Sequence, residues 1–200
     1  MKRVLLIFAL ALGMLCSLSA QTTSQEWISK LNASMGSRYA WNITVQTGGE
    51  SFVGYYMVEG DAYYLTLGVM EVYSDGKLRY EINNSRKEVT EDRVNLKSQD
   101  LLTNPTRAFS FVDKEYSITI KSQSSAGAVL KLVPKDTSLG LSEVELTLQK
   151  SGTAVLPTKI VYNYDGDSVA IALSGLSVAD KKLPRWSKES YRAYDIVSFL

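Results

Sequence analysis

The strongest constraint on the fold is a period-two alternation of apolar residues, interrupted at short intervals by tight-turn residues. The segment Val72–Tyr80 shows the pattern most clearly, with two short apolar-patterned runs on either side of Asp75-Gly76. Asp-Gly supplies the positive φ values that a two-residue hairpin needs, and Tyr73 and Tyr80 suit a half-buried pleated surface. The segment therefore predicts a β-hairpin.

The same alternation, punctuated by Gly-Gly, Gly-Asp and Asp-Gly pairs, recurs along most of the chain. In the first run, Tyr39, Trp41, Ile43 and Val45 share one face. Further strands are predicted by the same criterion. The predicted strands span residues 39–46, 52–58, 63–67, 70–74, 77–82, 88–90, 116–123, 128–133, 143–149, 158–164, 168–173 and 194–199.

One helix is predicted before the strands. Ser24 is expected to cap a helix that runs to about Met35, with Trp27, Ile28 and Leu31 on one face. The chain shows no alternation of strands with helices, so a parallel sheet is not expected. The predicted fold class is mainly β with a few helices, built on a single strongly twisted antiparallel sheet rolled partly around the N-terminal helix.

The first twenty residues have the pattern of a signal peptide. Lys2 and Arg3 precede the apolar run Val4–Leu15, and small residues lead to Ala20, where we expect cleavage. The run is short for a membrane span, although an uncleaved anchor is the alternative. Residues 21–200 are then expected to form one domain, secreted across a membrane. Cys16 is interpreted as a packing residue of the leader, with a lipidated cysteine as the alternative.

Composition restricts the possible chemistry. Cys16 is the only cysteine and the sequence has no histidine, so the mature chain would lack a thiol nucleophile, a disulfide, a His-based triad and the usual zinc ligands. We expect no metal and no cofactor. Net charge changes from +1 to −1 when Lys2 and Arg3 leave, and no basic stripe predicts a nucleic-acid partner. A non-enzymatic protein is predicted, with a secreted hydrolase as the less favoured alternative.

Several segments resemble one known family. The order of Gly54–Leu65, the hairpin Val72–Lys77 and the strand Lys87–Thr90 is similar to that in outer-membrane lipoprotein carriers, specifically the LolA-like branch of Bacteroidetes-type bacteria. Asn104-Pro105 and the closing segment Tyr191–Phe199 also resemble that branch. The resemblance covers nearly all of the chain after the leader.

The resemblance implies a half-barrel, in which helices that act as a lid cover the concave apolar face of one curved antiparallel sheet. It implies a monomeric periplasmic carrier or chaperone that accepts the acyl chains of lipoproteins from an inner-membrane transporter and delivers them to an outer-membrane acceptor. Each methylene hidden from water is worth about 0.8 kcal/mol, so such a cargo needs a carrier. A lipid- or lipoprotein-sensing module of the same fold is the alternative.

The chain departs from the family at one position. Proteobacterial carriers have an Arg-Pro pair whose arginine latches the lid, whereas the matching place here reads Glu59-Gly60, so no latch arginine is carried over. Nine side chains are predicted to line an apolar cavity, and plain core packing is an equally open interpretation for each of them. They are Trp41, Ile43, Tyr56, Leu65, Met70, Leu101, Leu102, Phe109 and Phe111.

Overall fold

The computed structural model describes residues 22–98, 109, 112–177 and 182–200. The helices are α1 (Ser24–Ser34) and α2 (Val112–Glu115), with 3-10 turns at Thr137–Leu139 and Lys188–Tyr191. The strands are β1 (Arg38–Thr47), β2 (Glu50–Glu59), β3 (Ala62–Leu67), β4 (Met70–Ser74), β5 (Leu78–Asn83), β6 (Glu88–Arg93), β7 (Tyr116–Gln123), β8 (Gly127–Pro134), β9 (Leu141–Ser151), β10 (Ala154–Tyr164), β11 (Ser168–Ser177) and β12 (Asp195–Ser198).

All twelve strands belong to one curved sheet in the order β12-β6-β5-β4-β3-β2-β1-β11-β10-β9-β8-β7. Two hairpin meanders, β1–β6 and β7–β11, are joined by antiparallel pairing of β1 with β11. The predicted curved antiparallel sheet with a covering helix is therefore confirmed. One pair differs, because β12 runs parallel to β6. Parallel strands need a crossover, and the chain from β11 to β12 supplies it by crossing from the middle of the sheet to its edge.

The N-cap of helix α1 lies one residue earlier than predicted. Thr23, not Ser24, is the N-cap: its hydroxyl accepts from the backbone N–H of Glu26 at 3.2 Å. The Glu26 carboxylate in turn accepts from the backbone N–H of Thr23 at 2.8 Å. This reciprocal capping box satisfies two backbone donors at once, which a cap at Ser24 would not do.

The predicted apolar face of α1 is confirmed. Trp27, Ile28 and Leu31 are all buried, and the helix packs against β10 and β7. The indole N–H of Trp27 donates to the side-chain oxygen of Gln123 on β7 at 2.9 Å, so the one polar atom of this large ring is satisfied.

The Asp-Gly turn between β4 and β5 is one residue longer than predicted. The strands end at Ser74 and resume at Leu78, and Gly76 has φ +91°. Asp75 keeps negative φ; its carboxylate accepts from the N–H groups of Lys77 and Leu78, each at 2.8 Å. Because the aspartate side chain closes the turn, only the glycine needs the left-handed conformation.

The sheet has two distinct faces, which we call the inner and the outer face. The inner face is the one that α1 covers, and on β1 it carries Tyr39, Trp41, Ile43 and Val45, all buried. Inner-face residues of β2–β4 and β7–β11 join them in one core cluster with α1. The outer face has a smaller core of its own, formed by Ala40, Met57, Ala62 and Leu183.

Among the described residues, no helix combines the length and the apolar character needed to cross a bilayer.

Gly54 offers a direct test of the register in which β2 pairs with β3. A Cβ at this inner-face position of β2 would lie 2.0 Å from the backbone oxygen of Thr66 on β3. We expect Gly54→Ala to lower the free energy of unfolding by about 1–3 kcal/mol, because the strands must separate to admit the methyl group. Urea denaturation measures the change.

Gly36→Ala is the matched control, since its Cβ would meet nothing closer than 3.9 Å and its φ is not positive. It should change stability by less than about 0.5 kcal/mol. Equal effects of the two substitutions would contradict the register assigned to β2 and β3.

Candidate functional site: the inner face and its recess

A layer of aromatic rings occupies the centre of the inner face. The ring centroid of Trp41 lies 5.3 Å from that of Tyr39, 5.6 Å from that of Tyr56 and 6.4 Å from that of Phe109. The contacts with Tyr56 and Phe109 are edge-to-face, the arrangement that ring quadrupoles favour. Trp41 therefore lies at the centre of the layer, and Phe109 brings the connection between β6 and β7 onto it.

The predicted cavity residues fall into three groups. Five of them are buried together in the inner-face core: Trp41, Ile43, Tyr56, Leu65 and Phe109. Met70 is half-buried on β4, opposite Leu67. Leu101, Leu102 and Phe111 lie outside the described residues. Whether these side chains bind a ligand stays a prediction.

An open recess of about 330 Å³ adjoins this layer at the ends of β9, β10 and β11. Its apolar lining is formed by Trp41, Leu156, Pro157, Leu173 and Leu176. Its polar lining includes Gln149, Lys150, Ser151, Thr158 and Ser174. The volume falls in the range of small-ligand sites, and apolar and polar side chains contribute equally to the lining.

Two β-bulges border the recess. Where β10 pairs with β9, Thr158 is an extra residue between the pairs of Pro157 and Lys159. Where β11 pairs with β1, Ser177 pairs with Ala40 and Ser174 with Asn42, so β11 has one extra residue opposite Trp41. Gly175 in this stretch has φ +63°. A bulge bends its strand and interrupts the ladder, and bulges are common beside functional sites. Here both bulged positions line the same recess.

Sequence reasoning identified Trp41 of these lining residues but missed the others. A bulge inserts one residue into an otherwise regular alternation, so the period-two pattern of β10 and β11 does not reveal which residue is extra. Two residues in the sequence could have indicated the bulges. Pro157 has no backbone N–H for a regular central ladder, and Gly175 lies inside a strand, where glycine often marks a bulge.

A cation lies at this end of the inner face. The Nζ atom of Lys150, one of the residues that line the recess, lies 5.1 Å from the centre of the Trp27 ring on α1. An ammonium group over an indole face is held electrostatically while its methylene stem covers apolar surface. The recess thus combines an apolar lining with a positively charged group.

The inner face becomes polar at β5. Arg79 and Glu81 form an ion pair at 2.5 Å, and Arg79 lies opposite Ser74 on β4. The fully buried Tyr63 directs its hydroxyl to this group. Burial raises the pKa of Tyr63, and hydrogen bonds with Arg79 and Ser74 partly oppose that rise. The apolar surface therefore ends at a defined polar border.

The C-terminal crossover lies on the outer face. We call residues 182–194 the strap. Its Trp186 ring stacks on Tyr80 at 4.6 Å and on Tyr191 at 5.0 Å, and Leu183 is buried against the outer-face core. Glu59 also belongs to this side: its carboxylate lies 3.5 Å from Arg185 of the strap.

Glu71 connects the strap to the sheet. Its carboxylate accepts hydrogen bonds from the hydroxyls of Tyr64 (3.1 Å), Tyr73 (3.0 Å) and Tyr191 (3.3 Å) and from the side-chain amide of Asn84 (2.8 Å). Burial disfavours the carboxylate, but these four donors outweigh it and hold the pKa of Glu71 below its ordinary value. The carboxylate also raises the pKa of Tyr64, which burial has already increased, to about 12.

In the part of the chain that the structure describes, no group of three or more His, Cys, Asp or Glu side chains is placed to hold a metal ion.

No protein-family model and no curated protein matches the sequence. Among solved structures, an uncharacterized conserved protein from Thermus thermophilus matches with a TM-score of 0.56 at 7% identity, over 87% of this chain and 98% of that one. At this identity the match shows a shared fold and nothing more.

Two looser matches have names that mention lipoproteins or the LolA superfamily. A LolA superfamily protein from Nitrosomonas europaea has a TM-score of 0.44 at 12% identity, over 81% of this chain and 96% of that one. The lipoprotein LppX from Mycobacterium tuberculosis has a TM-score of 0.43 at 8% identity, over 78% and 100%. Both TM-scores are below 0.5, so neither match adds an argument about this chain. What the structure itself shows is the architecture that the resemblance implied, one curved sheet with a covering helix.

The hydrogen bonds to Glu71 predict a pH dependence of stability. Since the folded pKa is depressed, the stabilisation is fully present above the unfolded value of about 4.5 and is lost as the pH falls through the folded pKa. Glu71→Gln should lower the free energy of unfolding at pH 7 by about 1 kcal/mol, discounted for partial exposure. Urea titrations at a series of pH values should show this difference shrinking in acid.

The exposed Glu50→Gln is the control and should give no pH-dependent difference of that size. A deficit of Glu71→Gln that stays constant from neutral pH into the acid range would contradict the role given to the carboxylate charge.

Proposed function

We propose that this chain is a non-enzymatic lipid-binding protein that holds acyl chains against the inner face of its sheet. The observation that carries the proposal is the recess of about 330 Å³ that opens beside Trp41. It gives access from the surface to an apolar core that spans most of the sheet.

The chemistry of the recess suits hydrocarbon with a polar end. Leu156, Pro157 and Leu173 offer no hydrogen bond through their side chains, so affinity there must come from burying apolar surface, about 25 cal/mol per Å². Lys150 and Ser174 are placed to meet polar or anionic groups of the same ligand. An amphiphile with an acyl chain satisfies both requirements.

The finer proposal is a periplasmic carrier of lipoproteins. It rests on the sequence resemblance carried by Gly54–Leu65 and Val72–Lys77, together with the leader pattern of residues 1–20. The cargo would be the acyl chains of a lipoprotein, received from an inner-membrane transporter and passed to an outer-membrane acceptor. A half-open recess of modest volume supports this role, because a carrier must release its cargo as well as bind it.

Blocking the recess tests the proposal. Ser174 is an exposed residue of β11 that lines the recess, and Ser174→Trp should fill it without disturbing the buried core. We expect the affinity for a dansyl-labelled fatty acid to fall about tenfold or more, equivalent to about 1.4 kcal/mol of lost apolar contact. Fluorescence titration measures the affinity.

Ala172→Trp is the matched control. Ala172 is two residues away on the same strand and the same side, is exposed, and does not line the recess, so this variant should bind the probe like the wild type. The proposal fails if the wild-type chain does not bind the probe, or if both variants bind it unchanged while their thermal melts show them folded.

A further inference from the structure

Among the described residues, the hydroxyl of Tyr56 in the inner-face core has no hydrogen-bond partner. The side chain of Tyr56 is 1% exposed, and no protein group in the described chain forms a hydrogen bond with its hydroxyl. Tyr56 lies between strands that are otherwise regularly paired, opposite Trp41 on β1 and Leu65 on β3. Its position is therefore fixed by the sheet rather than by a contact of the hydroxyl.

An orphaned buried hydroxyl is unusual. More than about 90% of buried polar groups in folded proteins have a hydrogen-bond partner. A buried group without one loses its hydrogen bonds to water and forms none within the protein. Phenylalanine at position 56 would fill nearly the same space and avoid this loss. The ligand-free fold therefore gives no reason for tyrosine, rather than phenylalanine, at position 56.

The surroundings keep this hydroxyl a hydrogen-bond donor. Burial raises the pKa of Tyr56 well above its ordinary value, and the neighbouring hydroxyls of Tyr39 and Tyr162 raise it further. The group stays protonated across the physiological range and offers an O–H to an acceptor. The rings of Tyr39 and Trp41 pack around it at 6.2 and 5.6 Å.

We propose that Tyr56 is the polar recognition residue of the acyl site and donates its O–H to the carbonyl oxygen of a ligand's ester or amide linkage. The inference rests on the proposed function, because the acceptor has to arrive with an acyl chain. A hydrocarbon chain has no acceptor of its own, and its carbonyl is the group where it joins glycerol or an amine. Trp41 lines the recess, and its ring packs edge-to-face on Tyr56 with centroids 5.6 Å apart, so one side chain separates the recess from Tyr56.

This role predicts selectivity for the carbonyl. The chain should bind dioctanoylglycerol, a diester, about tenfold more tightly than dioctylglycerol, the diether with the same chain length, because only the ester has a carbonyl oxygen and an ether oxygen is a weaker acceptor. Tyr56→Phe should bind the diether at least as well as the wild type and lose the preference. Competition against a dansyl-labelled fatty acid measures all four affinities.

The same substitution has an opposite effect on the ligand-free protein. Removing an unsatisfied hydroxyl should raise the melting temperature of Tyr56→Phe by about 2–4 °C. Tyr63→Phe is the matched control, since Tyr63 is also fully buried on the inner face but its hydroxyl hydrogen-bonds with Ser74 and Arg79. Tyr63→Phe should melt lower than the wild type and keep the ester preference.

The outcomes separate this inference from the proposed function. If the wild type binds neither glycerolipid nor the labelled fatty acid, the proposed function fails and the role of Tyr56 fails with it. If the wild type binds diester and diether equally, acyl binding stands and the role of Tyr56 is overturned. A fall in melting temperature for Tyr56→Phe as large as that for Tyr63→Phe also overturns it, because the hydroxyl then has a partner in the free protein.

Discussion

The antiparallel pairing of β1 with β11 is the constraint on which the rest of the structure depends. It joins Ile43 to Leu173 and Val45 to Ile171, residues that lie more than a hundred positions apart in the chain. Without it the two hairpin meanders would be separate sheets, each with an exposed edge. With it, their apolar sides form one continuous inner face that α1, packed on β10 and β7, can cover. The loop-closure entropy of this long-range pairing is offset by the burial that it makes possible.

The two faces of the sheet differ in how fully their polar side chains are hydrogen-bonded. On the outer face, Glu71 is surrounded by donors from two strands, a turn and the strap, so the C-terminal segment is fixed by a satisfied network. Beside the inner-face Trp41, the bulges of β10 and β11 border a recess, and among the described residues the Tyr56 hydroxyl keeps an unused donor. A polar network that is complete on one side and incomplete on the other is consistent with a fold stabilised outside and adapted to a ligand inside.

Much of this fold was accessible from the sequence. Alternation and turn residues predicted all twelve strands, because most of them have one buried side and a local turn signal, although β12 is exposed throughout. The parallel docking of β12, the cap at Thr23 and the strap's packing through Trp186 depend on distant or reciprocal contacts that a periodic pattern does not encode. For the site, Trp41 and Tyr56 were predicted to line a cavity, and of the two only Trp41 borders the recess. The recess itself depends on bulge positions, and the unpaired hydroxyl on the identity of every neighbouring group, neither of which a periodic pattern encodes.

Native mass spectrometry tests the central claim, acyl binding on the inner face, most directly. The protein, secreted into a bacterial periplasm and purified without detergent, would be measured before and after incubation with a synthetic triacylated lipopeptide. Acyl binding predicts a one-to-one complex with the lipopeptide that is absent with the same peptide lacking its acyl chains. Detection of the ligand-free mass alone at every lipopeptide concentration, from protein that is folded, would contradict it.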